Sequence, residues 1–320
     1  MNEIHLLSLS LEQFTAFLKR HFPIVEIPLA EQHHADYILS DTFTPHIDYF
    51  KGVRILYTGE NHPVNLNRFD YCLTHDFRET DRCHRYPYWH FHCLDNEAFR
   101  QKLLAPRAIT TEELVAQNRD FCAFVCKNPK GKERNALVRD LMKVRKVSCG
   151  GPFMNNIGYI LPRPYEVKQE FQSKHFFSMA YENESELGYQ TEKIVDAFLS
   201  QSIPIYWGNP RVAEEFNPAA FVNAHDFRNR KALVSHILEL AESPADMAAM
   251  LSQPILQDPE VFTKSDQALV DFFARIFERG PGAIQRTRMQ RFQGVASRYY
   301  GHGLFRTIRY SIRRMKGEYK

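Results

Sequence analysis

Residues 174–210 constrain the fold of this chain more than any other part of its sequence. Residues 175–181 are apolar and rich in aromatic side chains, which is typical of a buried strand. A polar loop follows, and Thr191 then stands at the cap position of a helix with an apolar face that continues to Leu199. Residues 203–207 form a second apolar run. A strand, a helix and a strand in this order predict a parallel sheet covered by helices.

The predicted loop and the helix that follows it carry a group of polar residues. Asn183 and Tyr189 lie in the loop, and Glu192 and Lys193 lie in the first turn of the helix. The first turn of a helix offers free N–H groups and the positive end of the dipole, which suits a phosphate. Taken alone, Glu192 would only favour the helix dipole, by ~0.3–1 kcal/mol. Taken alone, Lys193 would be a solvated surface cation.

The same stretch resembles the donor-binding motif of the α1,3-fucosyltransferases of glycosyltransferase family 10, and in particular of the bacterial members that build Lewis-type antigens. With gaps, the resemblance begins near Tyr57 and leaves out the N-terminal section and the tail. It implies a GT-B-like α/β fold with two facing Rossmann-like domains. The matching runs are Tyr181-Glu182-Asn183, Gly188-Tyr189-Gln190-Thr191-Glu192-Lys193, Ile203-Pro204-Ile205-Tyr206-Trp207-Gly208, Phe216-Asn217-Pro218 and Phe221-Val222-Asn223-Ala224-His225-Asp226-Phe227.

The rest of the chain contains two successive series of strands and helices. The first series begins with a strand at residues 4–9, and the second begins at residues 121–126, after a polar segment predicted to bridge two domains at residues 110–120. Residues 78–94, which are rich in His, Tyr and Arg, are predicted to be an irregular surface segment. The predicted domains are an acceptor-binding domain at 1–115, a donor-binding domain at 116–280 and a basic amphipathic tail at 281–320.

The resemblance assigns donor binding to five residues. Arg134 lies between the strand at residues 121–126 and the next helix, where a guanidinium can bind phosphate oxygens. Without the resemblance, Arg134 would be read as a surface cation, as Lys130 and Lys132 are. Glu192 is expected to accept hydrogen bonds from sugar hydroxyls. The predicted GDP-fucose-binding residues are Arg134, Asn183, Tyr189, Glu192 and Lys193.

Glu60 is the candidate catalytic base. It follows the predicted strand at residues 53–58, and a carboxylate just past the carboxyl end of a strand faces a cleft more often than a core. Glu60 also falls where the family has its proposed base. After Asp70 the family pattern usually continues differently from this chain, which has Asp76 instead in a Thr-His-Asp run. Without the resemblance, Glu60 would be read as a surface or salt-bridged carboxylate.

Cysteine, histidine and acid spacing predict no metal site. The six cysteines are expected to be free thiols, because the start of the chain has no basic region followed by a cleavage site. Cys83-His84 and His90-Phe91-His92-Cys93 match no common zinc framework. No Asp-x-Asp motif indicates an essential metal, so Arg134 and Lys193 are expected to stabilise the diphosphate instead.

Charge is distributed unevenly along the chain. The net charge is +3, but residues 281–320 contain ten Arg and Lys residues against one acid, so this tail carries +9 and residues 1–280 carry −6. Apolar residues recur at helical spacing from Leu304 to Met315 between arginines. The tail is therefore predicted to bind an anionic membrane surface, and the alternative is a helix packed on the body. The acidic body makes a nucleic-acid partner the weaker interpretation.

The resemblance implies an inverting transfer of L-fucose from GDP-fucose to an N-acetyllactosamine-type glycan, with a Lewis-type product on a surface polysaccharide such as lipopolysaccharide. The absence of an apolar anchor predicts a cytoplasmic enzyme, peripheral on the inner membrane. Two alternatives stay open. One is a glycosyltransferase of the same fold with another nucleotide sugar, and the other is a carbohydrate-binding protein without turnover.

Overall fold

The computed structural model of this chain describes residues 2–44, 47, 50–163, 165–282 and 284. The described residues form two α/β units. The first contains the chain up to Tyr86 and returns at Ser265, and the second runs from Pro87 to Lys264.

A six-stranded, fully parallel sheet forms the centre of the first unit, in the order β2-β1-β3-β4-β5-β6. Every residue of β4 is buried, as expected for a parallel strand covered on both faces. The strands are β1 (Ile4–Leu9), β2 (Ile24–Glu26), β3 (Tyr37–Asp41), β4 (Val53–Thr58), β5 (Tyr71–Thr74) and β6 (Cys83–Arg85).

Two helices contribute aromatic side chains to the core of the first unit. Helix α1 (Glu12–His21) buries Phe14 and Phe17, spaced three residues apart on one face. Helix α10 (Val261–Glu278) begins in the second unit, and its residues from Ser265 onward belong to the first. Near its end, the ring of Phe277 packs edge-on against Tyr37, with 5.1 Å between centroids.

The second unit is built on a five-stranded parallel sheet in the order β11-β10-β9-β7-β8. Its strands are β7 (Asp120–Phe124), β8 (Val147–Cys149), β9 (His175–Tyr181), β10 (Ile203–Trp207) and β11 (Val222–Asn223). Its helices are α2 (Tyr88–Cys93), α3 (Glu97–Leu104), α4 (Thr111–Ala116), α5 (Lys132–Met142), α6 (Tyr165–Ser173), α7 (Glu192–Leu199), α8 (Arg230–Ala241) and α9 (Pro244–Leu251).

Strand register brings the loops of the second sheet together at one edge. Strand β9 ends at Tyr181, which pairs with Trp207, the last residue of β10. Strand β7 pairs with β9 in the same direction and ends at Phe124. The segments that follow β7, β9 and β10 therefore all start from the carboxyl edge of this sheet, where ligands bind in open parallel sheets.

The structure differs from the sequence prediction in two segments. Residues 78–94 are not irregular, because they contain β6 and α2, two elements too short to show a clear period. Residues 110–120 do not connect the two units, because they lie within the second unit. There, Thr110 and Glu113 form a capping box that starts α4. Helices α2 and α3 pack on α7, and α4 packs on α9, so the chain divides after Tyr86 rather than near residue 115. The acceptor-binding and donor-binding roles of residues 1–115 and 116–280 stay predictions.

Three other observations bear on the sequence predictions. Cys72, Cys83, Cys93, Cys122, Cys126 and Cys149 are all free thiols and all buried. The basic tail lies outside the described residues, apart from 281, 282 and 284. Within the described parts of the chain, no helix is both long enough and apolar enough to span a bilayer.

Candidate active site

A fully buried carboxylate, Glu182, organises the carboxyl edge of the second sheet. It directly follows β9 and is 0% exposed. Its Oε1 accepts hydrogen bonds from the Thr191 backbone N–H at 2.7 Å and from the Thr191 hydroxyl at 2.9 Å. Its Oε2 accepts from Lys193 Nζ at 2.8 Å. Burial raises the pKa of Glu182, and the ammonium of Lys193 opposes that shift by favouring the charged form.

Lys193 is held in place at the first turn of α7. Besides Glu182, its Nζ donates to the Thr191 hydroxyl at 2.7 Å, and 24% of its side chain is exposed. Thr191 occupies the cap position of α7, but its side chain makes no capping bond to the helix. Its hydroxyl binds Glu182 instead, which corrects the expectation of a simple threonine cap. The cation is therefore positioned by buried partners while part of it stays accessible.

Glycine residues let the loop after β9 and the loop after β10 approach each other closely. A Cβ on Gly208 would lie 2.4 Å from Glu182 Cγ, so no larger residue fits at this position without rearrangement. Gly188 has a φ of 78° and donates its N–H to Asn209 Oδ1 at 2.9 Å. Asn209 and Gln190 are fully buried and hydrogen-bonded to each other. These contacts hold residues 182–190 against the end of β10.

Arg134 lies at the same edge, in the first turn of α5. It is 3% exposed, and its Nη1 donates to Asn183 Oδ1 at 3.0 Å. Its Nη2 donates to the Asn128 carbonyl, while Nε is buried without a hydrogen-bond partner among the described residues. A Cβ on Gly131 would come within 2.8 Å of the guanidinium, so this glycine leaves room for it. The structure thus brings together Arg134 and Asn183, two of the predicted donor-binding residues.

Glu192 and Tyr189 take different positions around this edge. Glu192 is partly exposed at the start of α7. Burial acts to raise the pKa of Glu192, but Lys193 and Lys168 outweigh it and hold this pKa below its ordinary value. Tyr189 is only 1% exposed, so its ring belongs to the interior of the unit rather than to an open surface. Tyr181 is also buried and stacks on Trp207, with 5.7 Å between ring centroids, as expected for a packing aromatic.

A second buried carboxylate, Asp196, lies one turn after Glu192 on α7 and was not anticipated from the sequence. It is fully buried and accepts hydrogen bonds from the Tyr165 hydroxyl at 2.5 Å and from Lys168 Nζ. His92 Nε2 of α2 lies 3.3 Å from Asp196 Oδ1. Burial acts to raise the pKa of Asp196, but Lys168 and His92 lower it to about 2. The charge of Lys168 therefore lies close to the first turn of α7.

Sequence signals for these additional residues were present but weak. Glu182 is an acid at the end of an apolar strand, inside the matched Tyr181-Glu182-Asn183 run. Asp196 is an acid within the apolar run of α7. Neither sequence signal indicates which cation pairs with the carboxylate, because Lys168 is 28 residues away from Asp196 and Lys193 is 11 residues away from Glu182. Among the described residues, no three His, Cys, Asp or Glu side chains are grouped so as to hold a metal ion.

Glu60 belongs to the first unit, just past the carboxyl end of β4. Glu60 is exposed to solvent. Its backbone carbonyl accepts hydrogen bonds from the Thr58 hydroxyl at 3.0 Å and from the His62 N–H at 2.7 Å. Asp70, by contrast, is fully buried and accepts from the Arg54 backbone N–H at 2.8 Å. Asp76 is 8% exposed. Glu60 is therefore the most accessible of these three carboxylates.

Two family profiles match this chain. Residues 4–92 match the N-terminal domain of the α-(1,3)-fucosyltransferase FucT, and residues 114–251 match the C-terminal part of the glycosyltransferase family 10 fucosyltransferases. The chain is also 35% identical over 217 residues to the α-(1,3)-fucosyltransferase FucT of Helicobacter pylori, a match that covers 60% of this chain and 45% of that protein. The match thus spans less than half the length of that relative.

Solved structures extend the similarity over most of the chain. The crystal structure of an α1,3-fucosyltransferase with GDP-fucose superposes with a TM-score of 0.70 and 26% sequence identity, covering 90% of this chain and 94% of that chain. A crystal structure of an α1,3-fucosyltransferase with GDP gives a TM-score of 0.69 and 27% identity, covering 89% of this chain and 92% of that chain. The expected GT-B-type architecture of two parallel-sheet α/β domains is thereby confirmed.

Proposed function

The chain belongs to the fucosyltransferases of glycosyltransferase family 10, and from that premise we propose that it transfers L-fucose from GDP-fucose to a hydroxyl of an N-acetyllactosamine-type glycan. The observation that carries the proposal is the pair of cations at the carboxyl edge of the second sheet. Arg134 is held by Asn183, and Lys193 is held by Glu182. Each lies in the first turn of a helix, where a diphosphate also meets the positive end of the helix dipole.

In the proposed reaction, the acceptor hydroxyl attacks the anomeric carbon of fucose as the bond from that carbon to the diphosphate oxygen breaks. Glu60 takes the proton of the hydroxyl, and GDP leaves with the bonding electrons. Arg134 and Lys193 stabilise the negative charge that develops on the diphosphate. Attack from the face opposite the leaving group inverts the anomeric configuration. Asn183 and Glu192 complete the proposed donor site, with Glu192 accepting hydrogen bonds from sugar hydroxyls, and the buried Tyr189 is proposed to support that site from the interior of the unit.

The donor assignment is tested by GDP binding to Arg134→Ala and Lys193→Ala. Each variant should lose about 1.5–3 kcal/mol of binding free energy, the usual range for a hydrogen bond to a charged group. Isothermal titration calorimetry with GDP measures the loss. Lys130→Ala is the matched control, because Lys130 is an exposed cation in the loop before α5. This variant should bind GDP as tightly as the wild type does. Wild-type affinity in Arg134→Ala or Lys193→Ala would remove that residue from the donor site.

The substrates are tested by a donor and acceptor screen. The purified chain is incubated with GDP-fucose and with other nucleotide sugars, each with type 1 and type 2 N-acetyllactosamine acceptors. We expect GDP release and an α1,3-linked fucosyl product on the type 2 acceptor. Transfer from a different nucleotide sugar would identify another glycosyltransferase, and acceptor binding without GDP release would identify a carbohydrate-binding protein.

The proposed setting of the reaction is an anionic membrane surface. The +9 charge of residues 281–320 and their apolar residues at helical spacing favour attachment to such a surface. Attachment there suits an acceptor glycan that is itself linked to a membrane lipid, as a precursor of surface lipopolysaccharide would be. The proposed product is then a Lewis-type fucosylated glycan.

A further inference from the structure

An exposed aromatic side chain lies in the loops at the carboxyl edge of the first sheet. Phe43 follows the end of β3 by two residues and is 67% exposed. Of the phenylalanines that the structure describes, Phe43 is the only exposed one. Single exposed apolar side chains are common on protein surfaces, so the position and the contacts of Phe43 decide what it can do.

Both the backbone and the ring of Phe43 are held in place. Asp41, the last residue of β3, accepts hydrogen bonds through Oδ1 from the Phe43 N–H and from the Thr44 hydroxyl, each at 2.9 Å. The Phe43 ring packs edge-on against the imidazole of His62, with 5.5 Å between ring centroids and 86° between ring planes. An edge-on contact at this distance is a favourable arrangement of two aromatic rings. The ring is therefore fixed by one neighbour while most of its surface stays accessible.

Phe43 lies beside the turn that carries the candidate base. Strands β3 and β4 pair in parallel, with Asp41 opposite Tyr57, so the loops that follow these strands start side by side. His62 comes two residues after Glu60, and its N–H donates to the Glu60 carbonyl at 2.7 Å. The Phe43 ring thus contacts the same short turn that presents Glu60. An acceptor whose hydroxyl reaches Glu60 comes to this edge of the sheet, where ligands bind in open parallel sheets.

The chemistry of these two loops suits a neutral sugar. A pyranose carries C–H groups on its faces and hydroxyls around its edge, so it needs an apolar surface below it and polar groups beside it. Phe43 supplies the apolar surface, and Asn61 and His62 supply an amide and an imidazole, which can donate and accept hydrogen bonds. Residues 41–44 and 58–62 contain no lysine or arginine, so they favour a neutral ligand over a phosphate.

We propose that Phe43 binds the acceptor, with a pyranose ring of the glycan packed on the exposed face of its side chain and with His62 holding that side chain in place. This role rests on the proposed function, because it requires the acceptor hydroxyl to reach Glu60. Packing removes apolar surface of both the ring and the sugar from water. The contact is the same before and during the transfer, so Phe43 contributes to acceptor binding and not to the rate of the bound complex.

Transfer kinetics of the full chain, with saturating GDP-fucose and varied N-acetyllactosamine, test this role. Phe43→Ala should raise the acceptor KM by roughly three- to tenfold, the factor that corresponds to covering part of an apolar side chain. Its kcat and its GDP affinity should stay at the wild-type values. Phe43→Tyr keeps the aromatic face, so its acceptor KM should stay within about twofold of the wild type. Phe43→Leu is apolar but has no flat face, and its acceptor KM should rise towards that of Phe43→Ala.

Val115→Ala is the matched control, because Val115 is a 57% exposed apolar residue of α4 in the second unit and its loss should leave the acceptor KM unchanged. Thermal unfolding of every variant should match the wild type, since both positions are exposed, which separates a binding effect from a folding effect. A wild type that transfers fucose while Phe43→Ala keeps the wild-type acceptor KM, or loses only kcat, would overturn the role of Phe43 and leave the proposed function intact. Equal rises of KM in Phe43→Tyr and Phe43→Ala would likewise exclude packing on the ring. A wild type that transfers no fucose would overturn both.

Discussion

At the scale of single residues, Glu182 shows how a buried acid can serve a neighbouring cation. A fully buried carboxylate is costly unless it is paired and hydrogen-bonded. Glu182 meets both conditions through Thr191 and Lys193. In return, the ammonium of Lys193 is oriented before a ligand arrives, which lowers the entropy cost of binding. The cation of the proposed donor site is thus prepared by a residue that is itself inaccessible.

Glu60 carries the first prediction at this scale. Glu60→Gln keeps the shape of the side chain but cannot accept the proton of the acceptor hydroxyl. Transfer should fall by roughly 10²–10⁴-fold, the usual contribution of a positioned general base. GDP affinity should stay close to wild type, because Arg134 and Lys193 are unchanged. The measurement is transfer rate and GDP affinity on the same purified variant.

The control for this prediction is Glu31→Gln, which removes an exposed acid elsewhere in the first unit and should keep full activity. A Glu60→Gln enzyme within a few-fold of wild type would rule out Glu60 as the base. Asp76 would then be the next candidate, because Asp70 is fully buried and its carboxylate accepts from the Arg54 backbone.

At the scale of elements, helix α7 depends on its neighbours through Asp196. This carboxylate connects α7 to α6 through Tyr165 and Lys168, and its Oδ1 lies 3.3 Å from His92 of α2. Three helices therefore converge on one buried acid in the second turn of α7. Since Glu192 and Lys193 lie in the first turn of the same helix, the position of the proposed donor site depends on this junction.

Removing one partner of this junction should destabilise the protein strongly. Asp196→Asn leaves Lys168 beside a neutral side chain in a buried setting, and we expect a loss of about 3–5 kcal/mol in the free energy of unfolding. The double variant Asp196→Asn/Lys168→Met should recover part of this loss, because no charge is then left unpaired. Urea unfolding at pH 7 measures both. Asp140→Asn, which breaks the exposed pair with Arg230, is the control and should change stability little.

The same junction should also depend on pH. Because the pKa of Asp196 is lowered to about 2 from an ordinary 3.8, its ionised form stabilises the folded state above about pH 4. That contribution should fade as the pH falls towards 2. The stability difference between wild type and Asp196→Asn should therefore shrink between pH 5 and pH 2.5. A difference that stays constant over this range would contradict the assignment of the charge to Asp196.

At the scale of the whole molecule, the distribution of charge separates the basic tail from the acidic body. Deletion of residues 304–320 should abolish binding to vesicles that contain anionic lipid, while transfer to a soluble acceptor stays largely intact. Binding by the full chain should also weaken as salt is added, because charges at a surface are screened. Co-sedimentation with anionic and with neutral vesicles is the measurement. Equal binding to anionic vesicles by the truncated protein would contradict a role for the tail.

Local sequence patterns predicted four of the described strands to the residue. The bounds of β1, β4, β9 and β10 agree with the runs of residues that predicted them. Runs of apolar residues indicate which positions are buried, because side chains in a strand or a helix change direction with a fixed period along the chain. The short elements β6 and α2 were missed, since three to six residues are too few to show a period. The motif around Glu192 and Lys193 likewise depends on neighbours in the chain and was readable from the sequence.

Only the tertiary structure decided which side chains meet. Arg134 reaches Asn183 across 49 residues, and Arg107 reaches Leu251 across 144 residues. The hydroxyl of Thr191, expected to cap a helix, instead joins Glu182. These pairings depend on strand order and register in the second sheet, which bring distant segments to one edge. Residue type and period determined where each element lies in the chain. The packing of those elements determined which charges are paired and which are buried.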